Sequence, residues 1–340
     1  MPTDLLIVND KGIFCEAADV YIDPWRAVDK ALITHAHSDH ARYGHRHYLA
    51  HKTNQAVLKL RLGNIRLQPL EYNEVVTING VKFSFHPAGH IPGSAQIRVE
   101  HKGEVWVVSG DYKFGDDGIS VPFEPVRCHT FISESTFGLP VYHWQNQQLI
   151  FEKINQWWKQ NADENRCSVI FGYSLGKAQR ILQGLDESIG KIFTHGAIEN
   201  TNKALIAAGI ELKKTEQVST HSNKEEFKNA IVIAPPSAAE SPWMKKFGDY
   251  ASAFCSGWMQ VRGNRRRNSM DTGFVLSDHA DWESLNIAVE SSGAERVFIT
   301  HGFSDVFARY LCEKGYDARV LKTLYEGDQA LVSEENIDTE

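Results

Sequence analysis

Cysteine is scarce and scattered. The five residues, Cys15, Cys128, Cys167, Cys255 and Cys312, form no C-x-x-C pair. This argues against a disulfide framework and against a cysteine-based zinc site. They read instead as five small buried hydrophobes. No window is long and apolar enough to span a bilayer, which argues against a membrane protein. The stretch Met1 to Lys11 alternates like a strand and carries Asp4 and Asp10 where a secretory leader would have basic residues. The expected compartment is the cytoplasm. Positive charge is also in short supply: 36 Lys and Arg stand against 43 Asp and Glu, a net charge of −7 with a pI near 6.1. Bulk charge therefore gives no support for nucleic-acid binding. It does not exclude it, because bound cations and local Arg clusters set the field where a phosphate would sit. Repeats and low-complexity linkers are missing too. What is present, 340 residues with 42% apolar and 23% charged side chains, can bury the core of one large or two smaller domains.

Local patterning divides the chain. Ala31-Leu-Ile-Thr34 is a short apolar strand running into a His-rich loop. Residues 53–62 have helical spacing, with Thr53 as N-cap. Residues 75–86 alternate across Asn79-Gly80, a two-residue hairpin turn, and residues 96–109 alternate across Lys102-Gly103. Thr130-Phe-Ile-Ser133 is another short strand. The character changes near Pro140. Residues 147–161 form an amphipathic helix with Phe151, Ile154 and Trp158 on one face. A buried strand at 168–171, a helix at 177–185, a strand at 191–194, a helix near 202–208 and a strand at 230–233 follow. This alternation predicts a parallel α/β unit. After the basic stretch Arg262 to Arg267 come a strand at 273–276, a helix from Trp282, and an apolar strand, 296–300, ending at His301. The expected organisation is one α/β unit inserted into another.

Residues 34–40 read THAHSDH. Three imidazoles and a carboxylate lie just past a buried strand. In an extended loop His35 and His37 project to the same side, while Asp39 and His40 follow where the chain must turn. One short loop can therefore serve two ions with the N and O ligands that zinc prefers. Nine other histidines, His45, His47, His51, His86, His101, His129, His143, His195 and His221, match no such string. His45-Arg-His47 imitates a ligand pair, but it lies too far along the chain and reads as ordinary surface.

The H-x-H-x-D-H string resembles the signature of the metallo-β-lactamase superfamily, and further motifs follow in order. Asp23, in YIDPW, resembles the buried aspartate that orients the loop. His90, in PAGHIPGS, resembles the third histidine of the first ion. Asp111, in VSGD, resembles the bridging carboxylate. The resemblance implies His35, His37 and His90 on one ion, Asp39 and His40 on the other, and Asp111 between them.

SESTFG (133–138), SDHADW (277–282) and THG (300–302) resemble motifs A, B and C of the β-CASP nucleases, the branch that cuts DNA and RNA. This implies that His301 completes the second ion and that His279 is the general acid. Glu134 would support it by favouring the charged ring. The implied fold is α/β, an αββα sandwich with an inserted α/β β-CASP cap. Its core would be residues 1–139 and 273–340, and its cap residues 140–272. FGYSLGKAQR (171–180) resembles the cap segment entering a groove-lining helix, which implies Lys177 as a substrate contact. It is not a P-loop: Gly172 and Gly176 are one residue too close, and Ala178 stands where Ser or Thr must bind Mg²⁺. Arg262, Arg265, Arg266 and Arg267, the densest positive run, are expected near the groove as phosphate contacts. Trp258 is read as a buried cap aromatic, with base stacking as the alternative.

Longer segments, among them DVYIDPWRAVDKALITHAHSDHARYGH (19–45) and PFEPVRCHTFISESTFGLP (122–140), resemble the bacterial ligase-associated DNA exonucleases. That resemblance implies a DNA-repair exonuclease with two divalent ions, zinc or manganese, acting on single strands or strand ends. It implies work beside an ATP-dependent DNA ligase and a helicase. His301 keeps RNA open as a substrate, since a motif C histidine is typical of RNA-cutting members. A small-ester hydrolase of the same core would need no cap, and a non-catalytic scaffold would lack ligands.

Overall fold

The computed structural model describes residues 4–219, 221–261 and 270–325. The stretch holding Arg262, Arg265, Arg266 and Arg267 lies outside the described residues. The described chain divides into two compact units. The first comprises residues 4–116, 120–143 and 279–325. The second comprises 117–119 and the described residues from 144 to 278.

Two sheets build the first unit. One runs in chain order: β1 (Ile7–Val8), β2 (Ile13–Cys15), β3 (Val20–Ile22), β4 (Lys30–Ile33), β5 (His47–His51) and β6 (Leu67–Leu70). Its first three strands are antiparallel, and β3 to β6 are parallel. The other contains β7 (Val75–Ile78), β8 (Val81–Pro87), β9 (Ala95–His101), β10 (Glu104–Val108), β11 (Thr130–Ser135), β18 (Arg296–Gly302) and β19 (Asp317–Val320), in the order β19-β18-β11-β10-β9-β8-β7. The two predicted hairpins are present. Asn79 and Gly80 have φ of 49° and 82°, and Lys102 and Gly103 have φ of 50° and 85°. Positive φ at both positions is what a two-residue turn needs to match strand twist.

The sheets face each other across one apolar layer. Ile13, Val20, Ile22, Leu32 and Leu49 of the first meet Phe83, Phe85, Ile97, Val99, Trp106 and Phe298 of the second. The far side of the second sheet, through Val107, Phe131, Val297 and Ile299, packs on helices Trp282–Ser292 and Ser304–Glu313 by way of Leu285, Val289, Phe307 and Leu311. Helix Asn54–Leu62 lies against β5. The arrangement is helix, sheet, sheet, helix. All six residues of β11 are buried, as expected for a strand covered on both faces. Thr53 does not cap its helix: with φ −62° and ψ −29° it is already helical, and its side chain makes no capping bond.

The second unit has its own all-parallel sheet, ordered β14 (Glu216–Gln217), β13 (Ile192–Thr194), β15 (Ile231–Ala234), β12 (Cys167–Phe171), β16 (Tyr250–Cys255) and β17 (Thr272–Phe274). One face packs on helices Gln147–Asp163 and Lys177–Gly184 through Ile154, Trp158, Ile181 and Ile170. The other carries Val169, Phe171 and Val232 against Phe227 and Phe247. Two ion pairs are buried inside it. Lys177 is bonded to Asp278, and Arg180 pairs with Asp117 at 2.5 Å while donating to the Ser277 carbonyl. This corrects the reading of Lys177 as a substrate contact: its side chain is fully buried and its ammonium is neutralised by Asp278.

Candidate metal centre

β4 delivers Thr34 to the buried end of the first sheet, and the chain then turns through His35 to His40. Asp23, just past β3, organises that turn. It sits at φ 41°. Its Oδ1 accepts the Thr34 N–H at 2.8 Å, and its Oδ2 accepts the Thr34 hydroxyl at 2.5 Å and the His40 Nδ1–H at 2.8 Å. A carboxylate on Nδ1 fixes the tautomer and turns Nε2 into the centre. There the His40 Nε2 lies 3.6 Å from Asp39 and 3.6 Å from Asp111.

The other side chains arrive from strand ends. His90 is carried by the loop after β8, where its N–H donates to the Ser94 hydroxyl at 3.1 Å. Gly89 takes φ 74°, and a side chain there would meet the Lys113 carbonyl at 2.2 Å. Asp111 follows β10. Gly110 lets that turn close on Thr34, since a Cβ would lie 2.7 Å from the threonine Cβ. His301 ends β18. Asp111 reaches both sides: its Oδ2 is 3.4 Å from His35 Nε2 and 3.8 Å from His90 Nε2, and its Oδ1 is 2.9 Å from His301 Nε2. The ligand atoms of His35, His37, His90 and Asp111 all lie within 4.8 Å of one another, as do those of His40, Asp111 and His301. Asp111, Glu134 and His279 form a third such group.

This set suits a cation. The donors are imidazole nitrogens and carboxylate oxygens, the chemistry of zinc and manganese sites. His35 Nε2, His40 Nε2 and Asp39 Oδ1 are buried and make no hydrogen bond. Each such atom costs about 1–3 kcal/mol unless something compensates it, and bound cations would satisfy all three. The field agrees. Burial opposes the charge on His40, but Asp39, Asp111 and Asp23 raise it to about 10. His301 is likewise raised against its burial, by Asp111. His35 is held well below its usual value by burial and by His40. Burial would raise Asp111, yet His40 and His301 hold it well below the usual carboxylate range.

Glu134, from β11, is a fully engaged buried carboxylate. It accepts the Tyr112 N–H at 2.8 Å and the Thr136 hydroxyl, and its two oxygens lie 3.2 and 3.0 Å from His279 Nδ1. A carboxylate so placed favours the proton on Nδ1.

The predicted site residues Asp23, His35, His37, Asp39, His40, His90, Asp111, Glu134, His279 and His301 are thus brought together. The nine unmatched histidines belong to no metal-capable group among the described residues. His45 nonetheless departs from the surface reading. It is buried, its Nδ1 accepts the Val28 N–H at 3.3 Å, and burial lowers it to about 4. Cys312 is exposed, unlike the other four cysteines. Sequence reasoning also missed Tyr325, whose ring stacks on His40 with centroids 4.6 Å apart and planes at 18°. Nothing in its local sequence marks it.

No protein-family model matches the chain. It is similar to a probable DNA ligase of Opitutus terrae, 30% identical over 324 residues, which are 94% of this chain and 31% of that protein. It is similar to cleavage and polyadenylation specificity factor subunit 3-I of Arabidopsis thaliana, 26% identical over 49% of this chain and 28% of that protein. A third relative is the endoribonuclease YSH1 of Yarrowia lipolytica, 29% identical over 36% of this chain and 15% of that protein. The chain spans less than a third of the length of these relatives. A crystal structure of a protein of unknown function from Enterococcus faecalis shares the fold, with a TM-score of 0.58 over 87% of this chain and 80% of that one at 12% identity. Fold and His/Asp centre together define a protein of the metallo-β-lactamase fold. These relatives and the three later motifs make the chain similar to the β-CASP nucleases of that superfamily.

Proposed function

We propose that this protein is a metal-dependent nuclease that hydrolyses phosphodiester bonds of DNA, working as an exonuclease in repair. One observation carries the reading: Asp111 joins both histidine clusters and also stands within 4.8 Å of the Glu134–His279 pair. An ester hydrolase needs the first feature alone. A centre that must also protonate a poor leaving group needs the second.

In this reading His35, His37 and His90 would hold one divalent ion, Asp39, His40 and His301 would hold another, and Asp111 would serve both. When bound, such ions neutralise a phosphate and make water a usable nucleophile near neutral pH. The residues do the rest. Asp23 keeps His40 in the ligating tautomer. Glu134 keeps a proton on His279 Nδ1, so that Nε2 hands its proton to the departing 3′ oxygen and the other product keeps a 5′-phosphate. The second unit is assigned as the β-CASP cap. The relative named as a probable DNA ligase favours DNA and a working association with a ligase; the helicase association rests on family resemblance. His301 and the relative named as an endoribonuclease favour RNA as the second reading.

The test is direct. Protein purified without chelator should contain about two divalent ions per chain, and with Zn²⁺ or Mn²⁺ it should shorten end-labelled single-stranded DNA from an end. RNA of the same sequence, digested alongside, decides between the two substrates. One ion or none in active protein removes the two-ion assignment, and cleavage of neither polymer removes the nuclease reading.

A further inference from the structure

We propose that Tyr325 is a positioning residue for the His40 side of the metal centre, its ring holding the His40 imidazole in place and thereby setting the affinity of the second ion. The proposal rests on the two-ion reading above and adds to it a residue that contacts no ion.

The geometry is specific. The Tyr325 ring lies nearly parallel to His40, 4.6 Å away, and meets His301 edge-on at 5.9 Å and 87°. Trp25 packs on Tyr325 in turn, at 5.7 Å and 80°. The Tyr325 hydroxyl donates to the main-chain carbonyl of Asp23 at 3.2 Å. One side chain thus touches two residues assigned to the second ion and the residue that orients one of them. With Asp23, His40, Gly110, Thr300 and His301 it lines a cavity of about 10 Å³, room for a single water-sized body.

A ring is needed here because one hydrogen bond does not immobilise an imidazole. The Asp23 contact fixes Nδ1 but leaves the ring free to rock about its Cα–Cβ bond, and rocking sweeps Nε2 through an arc. A parallel aromatic surface removes that motion. His35 packs against the rings of His37, His40 and His90 at 4.2–4.9 Å, whereas His40 meets His35 at a tilt of 41° and takes its nearly parallel neighbour from Tyr325. Tyr325 comes from a segment beyond β19, which is tied to the sheet by the Leu321 N–H to the Ile299 carbonyl at 2.8 Å.

Partners that orient metal ligands typically change affinity by about 10–100-fold when removed. The experiment is a competition titration of metal-free protein with Zn²⁺ and a chromophoric chelator, resolving two stepwise constants, for wild type, Tyr325→Leu and Tyr325→Phe. Circular dichroism and thermal melting of each metal-free variant report folding. In Tyr325→Leu the second constant should weaken about 10–100-fold with the first unchanged, and Tyr325→Phe, which keeps the ring, should recover most of the loss. Unchanged constants in folded Tyr325→Leu overturn the proposal and leave the two-ion reading standing. So does a Tyr325→Phe loss as large as that of Tyr325→Leu, which is also the deciding comparison if the leucine variant does not fold. A wild-type protein that takes up fewer than two ions overturns both readings together.

Discussion

Asp23→Asn separates the orienting role of Asp23 from its role in holding the fold. The substitution keeps shape, and asparagine tolerates the positive φ of 41° found there. It can still accept the Thr34 N–H. Its amide NH₂ then faces the Thr34 hydroxyl, which can rotate to accept, and His40 Nδ1, which cannot accept while protonated. In the neutral ring that a metal requires, keeping that bond places the single His40 proton on Nε2, the nitrogen 3.6 Å from both Asp39 and Asp111. A protonated Nε2 cannot ligate. The expected cost in the metal-free protein is that of one buried charge-assisted hydrogen bond, about 1.5–3 kcal/mol. That is a fall in melting temperature of roughly 3–12 °C for a unit of this size. The expected loss in second-ion affinity is about 10–100-fold. Differential scanning calorimetry of the metal-free form and chelator competition on the same preparation give the two numbers. If melting falls as expected while both metal constants stay at wild-type values, Asp23 is structural only and the tautomer argument is wrong.

Four further outcomes are expected. Asp111→Ala should abolish cleavage and bring metal content below about one ion per chain, with circular dichroism nearly unchanged; wild-type metal content would remove its bridging role. His279→Ala should keep both ions yet slow DNA cleavage by about 10²–10⁴-fold, with a smaller loss on an activated aryl phosphodiester and a milder version in Glu134→Gln. Loss of metal in His279→Ala would make it a ligand. The metal-free protein should lose stability with rising pH. The folded value of about 10 for His40 exceeds its ordinary 6.5, so this contribution is complete below pH 6.5 and is lost as pH rises through 10. Urea melts of metal-free protein at several pH values should show that slope, and a flat profile refutes it. Finally, Gly89→Ala should destabilise far more than Gly80→Ala. Both have positive φ, but a Cβ at 89 meets the Lys113 carbonyl at 2.2 Å whereas at 80 it meets nothing within 4 Å; equal chemical-denaturation midpoints would contradict this.

The centre was legible because its ligands are packed into one short string and a few local motifs, each at a strand end. The hairpins at Asn79-Gly80 and Lys102-Gly103 were legible because their turn residues carry a backbone requirement. Residues whose role depends on distant partners were not. Lys177 sits in a segment that reads as a substrate contact, and only the fold shows Asp278 beside it. His45 looks like surface until Val28 and Tyr48 close over it. Thr53 has the right chemistry for a cap, but the helical geometry begins one residue too early. Tyr325 is an ordinary tyrosine in a nondescript tail, and its meaning comes wholly from a ring it meets some 280 positions away in the chain.

The parallel pairing of β11 with β18 has a consequence for how the molecule is made. Thr130 to Ile132 align with Arg296 to Phe298, so about 160 residues separate two neighbouring strands. At about 5–20 residues per second on the ribosome, the wait for β18 is roughly 10–30 s. During that time β11, buried on both faces in the finished fold, offers an open row of backbone donors and acceptors with apolar flanks. The second unit, apart from residues 117–119, is synthesised within this interval and has its own sheet and cores to fold around. The first cannot close until its last strands emerge. The nascent chain therefore carries a finished inner unit between two halves of an unfinished one, a state that is prone to intermolecular strand pairing and suited to protection by chaperones.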